Sequence, residues 1–194
     1  MYIGKIASSN SHITYVCQVY NRGETDVVPT PQDYGFGTFV GVERSDGSYL
    51  VGVVSDTTLV NPEFGNLGPR LSPRDELGVF APDYLEEKVT LVAIVILGAA
   101  RPDGVMLQGV PAVAAEIDAP VRRLSQEEVV AFHADSAGAA LGYVPLISSI
   151  PSALAPHLLL QIIETLRDLF PHDVHRLTVL ADNLAWRARV EPLR

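Results

Sequence analysis

The side chains best equipped for chemistry are five histidines, His12, His133, His157, His172 and His175, the single Cys17, and a scatter of acids. A zinc site built on a helix wants two imidazoles one turn apart with further donors, and no His-Glu-x-x-His run occurs. His172 and His175 flank Asp173 near a helix start, where the spacing can bring two imidazoles to one side; solvated helix-end residues are the plainer reading. Cys17 falls in the middle of an apolar alternation, where a thiol is packing rather than nucleophile. Neither lysine, Lys5 nor Lys88, follows a glycine-rich loop, so a Walker-type phosphate site is missing. Gly35-Phe36-Gly37 lacks the third glycine and the following helix of a dinucleotide fingerprint and reads as a turn. Asp135-Ser136-Ala137-Gly138 lacks the leading glycine of a nucleophile elbow. Glu86-Glu87 and Glu127-Glu128 are adjacent pairs whose members cannot share a face. The expectation is therefore a protein that is not an enzyme, with no catalytic, cofactor or metal residues.

Charge narrows the partner. The net charge is −9, with 5 basic and 10 acidic residues over 1–85, 4 and 8 over 86–135, and 5 and 5 over 136–194. A field of that sign repels a phosphate backbone, so direct nucleic-acid binding is not expected. The late cluster Arg187, Arg189 and Arg194 reads as a helix end complementing the macrodipole. No run approaches the roughly 20 apolar residues of a membrane helix, and the N-terminus has no apolar signal region. With one cysteine, a cytoplasmic, reducing location is expected.

The elements that must position any site begin as strands. Tyr2–Ala7 and His12–Tyr20 are short apolar–polar alternations, the second placing Ile13, Tyr15, Cys17 and Val19 on one face. Thr38–Arg44 and Tyr49–Ser55 flank Asp46-Gly47, the chemistry of a tight hairpin turn. Gly41 and Gly52 inside those arms mark curvature. Residues 61–82, rich in proline and glycine, read as a long surface loop of the kind that docks partners. Glu87–Gly98 is the strongest strand, apolar on both faces towards its end, and Val105–Gln108 follows Asp103-Gly104.

Helical signals then take over. Ser125 and Glu128 form a capping box for a short helix ending near His133. A small-residue linker follows from Asp135 to Pro145. Ser152 opens a helix with Leu154, Leu158, Ile162 or Ile163, Leu166 and Leu169 in register, stopped by Pro171. Asp173 opens a second helix with Val174, Leu177, Leu180, Leu184 and Ala188. The predicted fold is mainly β, a small antiparallel β-barrel over residues 1–120, a short helix and linker over 121–150, and an α-helical hairpin over 151–194, α+β overall. Two helices alone bury too little, so their apolar stripe must pack on the barrel or on another chain. Leu177, Leu180 and Leu184 are the predicted protein-interface residues.

Ile3-Gly4-Lys5-Ile6-Ala7, Gly41-Val42-Glu43 leading through Asp46-Gly47 into Leu50-Val51-Gly52-Val53-Val54, and Val92–Gly98 together resemble the HAS barrel. This is the N-terminal barrel of HerA-type hexameric ATPases, related to that of rotary ATP synthase catalytic subunits. The resemblance covers about half the chain and implies a crown that joins subunits and docks proteins; the motor domain that would follow is absent. It implies a non-catalytic accessory or docking protein with a protein partner, a HerA-type ATPase or a DNA-processing complex holding one, and a homo-oligomeric habit. Two alternatives stand beside it: an enzyme whose cleft lies between barrel and tail and draws on Tyr34, Asp56 and a tail histidine, and a self-assembling structural ring.

Overall fold

The computed structural model describes residues 1–61, 89–136 and 138–190. Nearly all of the proline-rich loop expected at 61–82 lies outside those residues. Strands β1 (Tyr2–Ser9), β2 (Thr14–Val19), β3 (Phe39–Glu43), β4 (Tyr49–Val60), β5 (Val89–Ala100), β6 (Met106–Gln108) and β7 (Pro120–Arg123) form one antiparallel sheet in the order β2-β1-β7-β3-β4-β5-β6. β2 pairs again with β5, from Thr14 opposite Val95 to Gln18 opposite Leu91, and this closes six strands into a barrel. β6 hangs on the last turn of β5 as a seventh strand. Closure gives most edge groups a partner, the usual solution to the exposed-edge problem.

Side-chain alternation builds two cores from one sheet. Ile3, Cys17, Val19, Val40, Val42, Leu50, Val54, Val92, Ile94, Ile96 and Val121 fill the barrel interior. Phe39, Val51, Val53, Val95 and Leu97 face outward from β3, β4 and β5 and are buried as well, under helices. β5 is sandwiched on both sides, which is why its sequence is apolar without interruption from Leu91 to its end. The hairpin turn sits at Gly47, with φ of +80°. Gly52 lies at a register shift between β4 and β5, and a Cβ there would come within 2.7 Å of Ile94 Cγ2, so the curvature expected at this glycine is a close approach of strands. β7 escaped sequence reading because it has four residues and opens on Pro120; it sits between β1 and β3 and is indispensable to closure.

The helical layer comprises α1 (Gln126–His133), α2 (Val144–Ser148), α3 (Ala155–Leu169) and α4 (Val174–Val190), with a small hairpin of β8 (Ala134–Asp135) and β9 (Gly138–Ala139) after α1. α1 carries the expected capping box, Ser125 Oγ accepting from the Glu128 N–H while Glu128 accepts from the Ser125 N–H. Glu128 also receives two hydrogen bonds from Arg122 at 2.7 and 2.8 Å, which tie α1 to β7 and hold its carboxyl below the usual range. The helix expected from Ser152 starts at Ala155 instead, because Ser152 Oγ accepts the Leu154 N–H in a turn of its own. Asp173 sits before α4 in a 3-10 turn, its carboxylate accepting the Ala139 N–H at 2.6 Å. Residues 121–150, expected as a short helix and linker, contribute Leu124, Val129, Phe132, Ala139, Tyr143 and Ile147 to the same core that Leu158, Ile162, Ile163 and Leu166 of α3 complete. No helix among the described residues is long and apolar enough to cross a membrane.

Gln108 shows how tightly the layer is fastened. Its Nε2 donates to the carbonyls of Phe132 and Ala140, both at 3.0 Å, and its Oε1 accepts the Gly142 N–H at 2.7 Å. One side chain thus joins β6 to both ends of the α1–α2 connection. Gln108→Ala strands three backbone groups, and urea unfolding at unchanged slope is expected to show a loss of about 2 kcal/mol.

Candidate functional site

Between β6 and β7 the chain crosses the barrel mouth that carries the β1–β2 and β3–β4 turns. This strap, residues 109–119, is fixed along its length. The Gly109 N–H donates to Leu97 O at 2.8 Å, and Pro111 O meets His12 Nε2 at 2.7 Å. The Ala115 N–H donates to Tyr15 Oη at 3.1 Å, and the Asp118 N–H to Ile6 O at 2.9 Å. What it buries is small: Ala114, Ala115 and Ala119 face the barrel core. What it exposes is large: Val110, Val113 and Ile117 are 62%, 52% and 64% exposed, and Val105 and Leu107 beside them on the β6 side are exposed too. Five exposed aliphatic side chains thus lie within one stretch of chain, residues 105–117.

The sequence-predicted residues lie elsewhere. Leu177 is 1% exposed, and Leu180 and Leu184 pack half-buried against the same core, so the stripe of α4 faces the chain's own α3. The outward face of α4 carries exposed Val179 and Trp186 instead. Tyr34, Asp56 and the tail histidines are not brought together. Tyr34 packs against the barrel interior, His157, His172 and His175 are exposed, and only Asp56 lines the cleft between barrel and helices. Cys17 is buried in the barrel, and desolvation pushes its thiol up to about 12. Among the described residues no three His, Cys, Asp or Glu side chains converge as a metal site. The strap went unrecognised in the sequence, where Val110, Val113 and Ile117 alternate with Ala112, Ala114 and Ala115 in a stretch punctuated by Pro111 and Pro120.

The chemistry that sequence reading passed over most completely is internal. His133, the last residue of α1, is fully buried, with Nδ1 2.7 Å from Val129 O and Nε2 2.6 Å from Tyr143 Oη. A carbonyl can only accept, so Nδ1 carries the proton and Tyr143 donates to Nε2. Phe39, Phe132 and Tyr143 surround the imidazole with ring centroids at 5.2, 5.0 and 5.6 Å. Burial lowers the imidazole pKa to about 4 and raises that of the Tyr143 phenol, so both are neutral near pH 7.

A family model described as "Domain of unknown function (DUF8166)" matches residues 1–192, and the chain belongs to that family. No curated protein matches it.

The buried imidazole makes stability depend on pH. Its pKa is lower folded than unfolded, so its contribution is complete above about pH 6.5 and is lost as pH falls towards 4, a change of about 3 kcal/mol. Denaturant melts across that window should show the loss in the wild type and a flatter profile in His133→Phe, which is less stable at neutral pH. Parallel profiles would mean that His133 is not the titrating group.

Proposed function

We propose that this member of the DUF8166 family is a non-catalytic docking protein that uses its barrel as an adaptor in a larger assembly. The observation that carries the reading is the inverted strap, with alanines against the barrel and Val110, Val113 and Ile117 turned to solvent. A free surface of fixed aliphatic side chains costs solubility and gains nothing for the fold, so its use is contact with another protein. The partner we infer is the HAS-type barrel of a HerA-type ATPase in the cytoplasm, on the strength of the barrel architecture and the motifs at Ile3–Ala7, Gly41–Val54 and Val92–Gly98. The leucine stripe of α4 already packs on the chain's own core, which makes the strap the better docking surface. Self-assembly into a ring through the same face is the competing use, and light scattering of the isolated chain would register it as a multiple of 20.9 kDa.

The test mixes the purified chain with a HerA-type ATPase encoded in the same genome and reads complex formation by size exclusion with light scattering. Wild-type chain should co-elute. Val113→Asp combined with Ile117→Asp, both at exposed positions that leave the fold within about 0.5 kcal/mol per site, should abolish co-elution. Co-elution that survives the double substitution would remove the strap from the interface. A wild-type chain that never co-elutes would remove this partner.

A further inference from the structure

A second site lies on the flank of the barrel, separate from the three outward aliphatics of the strap. Where the helical layer stops covering the outer wall, a cleft of about 460 Å³ opens between β2, β4 and β5 on one side and the α2–α3 connection on the other. That volume is in the range of small-molecule pockets. Ala93 and Val95 of β5 lie along its strand wall, and Ile147, Ile150, Leu154 and Leu158 face them from the helices.

Asn10, Ser11 and Thr14 on one side and Ser149 and Ser152 on the other give the cleft neutral polar groups, and a strand defect supplies its charged one. Gly52 and Val54 of β4 lie on the interior side, so plain alternation would send residue 56 into the barrel. The register between β4 and β5 slips between Val54 and Asp56, leaving Ser55 as the extra residue and setting Asp56 opposite Ala93 on the outer wall. The bulge therefore delivers a carboxylate to the edge of an apolar cleft. Asp56 Oδ1 accepts the Thr57 N–H at 2.8 Å, and no described cation pairs with the carboxylate. Among the described lining residues Asp56 is the only charged side chain. Two hydroxyls reinforce that sign: Ser55 Oγ donates to Ala93 O and Ser149 Oγ to Leu146 O, so both keep lone pairs rather than protons for an occupant.

We infer that this cleft binds a small organic cation, an apolar body seated between β5 and the α2–α3 connection with an ammonium or amidinium group on Asp56. The site does not depend on the proposed docking role. Phenylbutylamine, phenylbutanol and phenylbutyrate share one apolar body and differ in the charge of the head group, so they serve as probes, with binding followed by amide chemical shifts in the intact chain. The amine is expected to bind about fivefold or more tighter than the alcohol, and the acid weakest, with shifts centred on Ser55, Ala93 and Ile150. Asp56→Asn keeps the Thr57 hydrogen bond and should erase the preference for the amine while the alcohol binds as before. Ala93→Phe, checked for unchanged amide dispersion, fills the floor and should weaken all three. Equal affinities for amine and acid, an Asp56→Asn chain that still prefers the amine, shifts centred away from the cleft, or no saturation up to the solubility of the amine would each overturn the assignment.

Discussion

The hydrogen bond from Tyr143 to His133 ties α2 to α1 within the helical layer, and the packing of Phe39 from β3 against that imidazole sets the layer on the barrel wall, an attachment on which much of the remaining architecture depends. It lies inside a cage to which β3 contributes Phe39, α1 contributes Phe132, and the residue before α2 contributes Tyr143 itself. With the helices in place, Val51, Val53, Val95 and Leu97 can be apolar on the outside of a barrel without meeting water. Without them, β4 and β5 would present an aliphatic face of the kind that drives aggregation. Gln108 and the Arg122–Glu128 pair fasten the same layer from two other directions, one through β6 and one through β7. A neutral imidazole suits the position because each nitrogen has one partner of the right sense, so the polar ring is buried without an orphaned group.

The attachment also decides which surfaces remain. The helices cover the outer wall over Val95 and stop short of Ala93, and that boundary, together with the bulge at Ser55, makes the cleft. They leave the strapped mouth alone, where the chain's choice of alanine inside and valine or isoleucine outside is the reverse of what stability asks. The two surfaces differ in kind. One is held by hydrogen bonds and is aliphatic, suited to a protein face in the proposed docking role; the other is concave and carries Asp56, suited to a small cation.

The strands were legible in the sequence where alternation or turn chemistry was strong. Tyr15, Cys17 and Val19 are buried on one face as the pattern required, Asp46-Gly47 makes the hairpin turn, and the capping box at Ser125 and Glu128 is present bond for bond. Local signals failed where the determining partner is distant in sequence. β7 is too short to carry a period, and its strand identity comes from β1 and β3. His133 is the helix terminus that the sequence indicates, but nothing local reveals that Tyr143 and Phe39 close over it. The leucines of α4 showed an apolar stripe, but a stripe does not say what it faces, and here it faces α3. Asp56 shows the same limit: period two puts it inside the barrel, and only the pairing with β5 reveals the slip that moves it out.

The docking role is tested most directly by amide hydrogen exchange of the full chain, alone and saturated with a HerA-type ATPase. Docking through the strap predicts slower exchange across residues 109–119 and the adjoining β6, with α4 unchanged. Slowing confined to α4, or no difference anywhere on the chain, would contradict it.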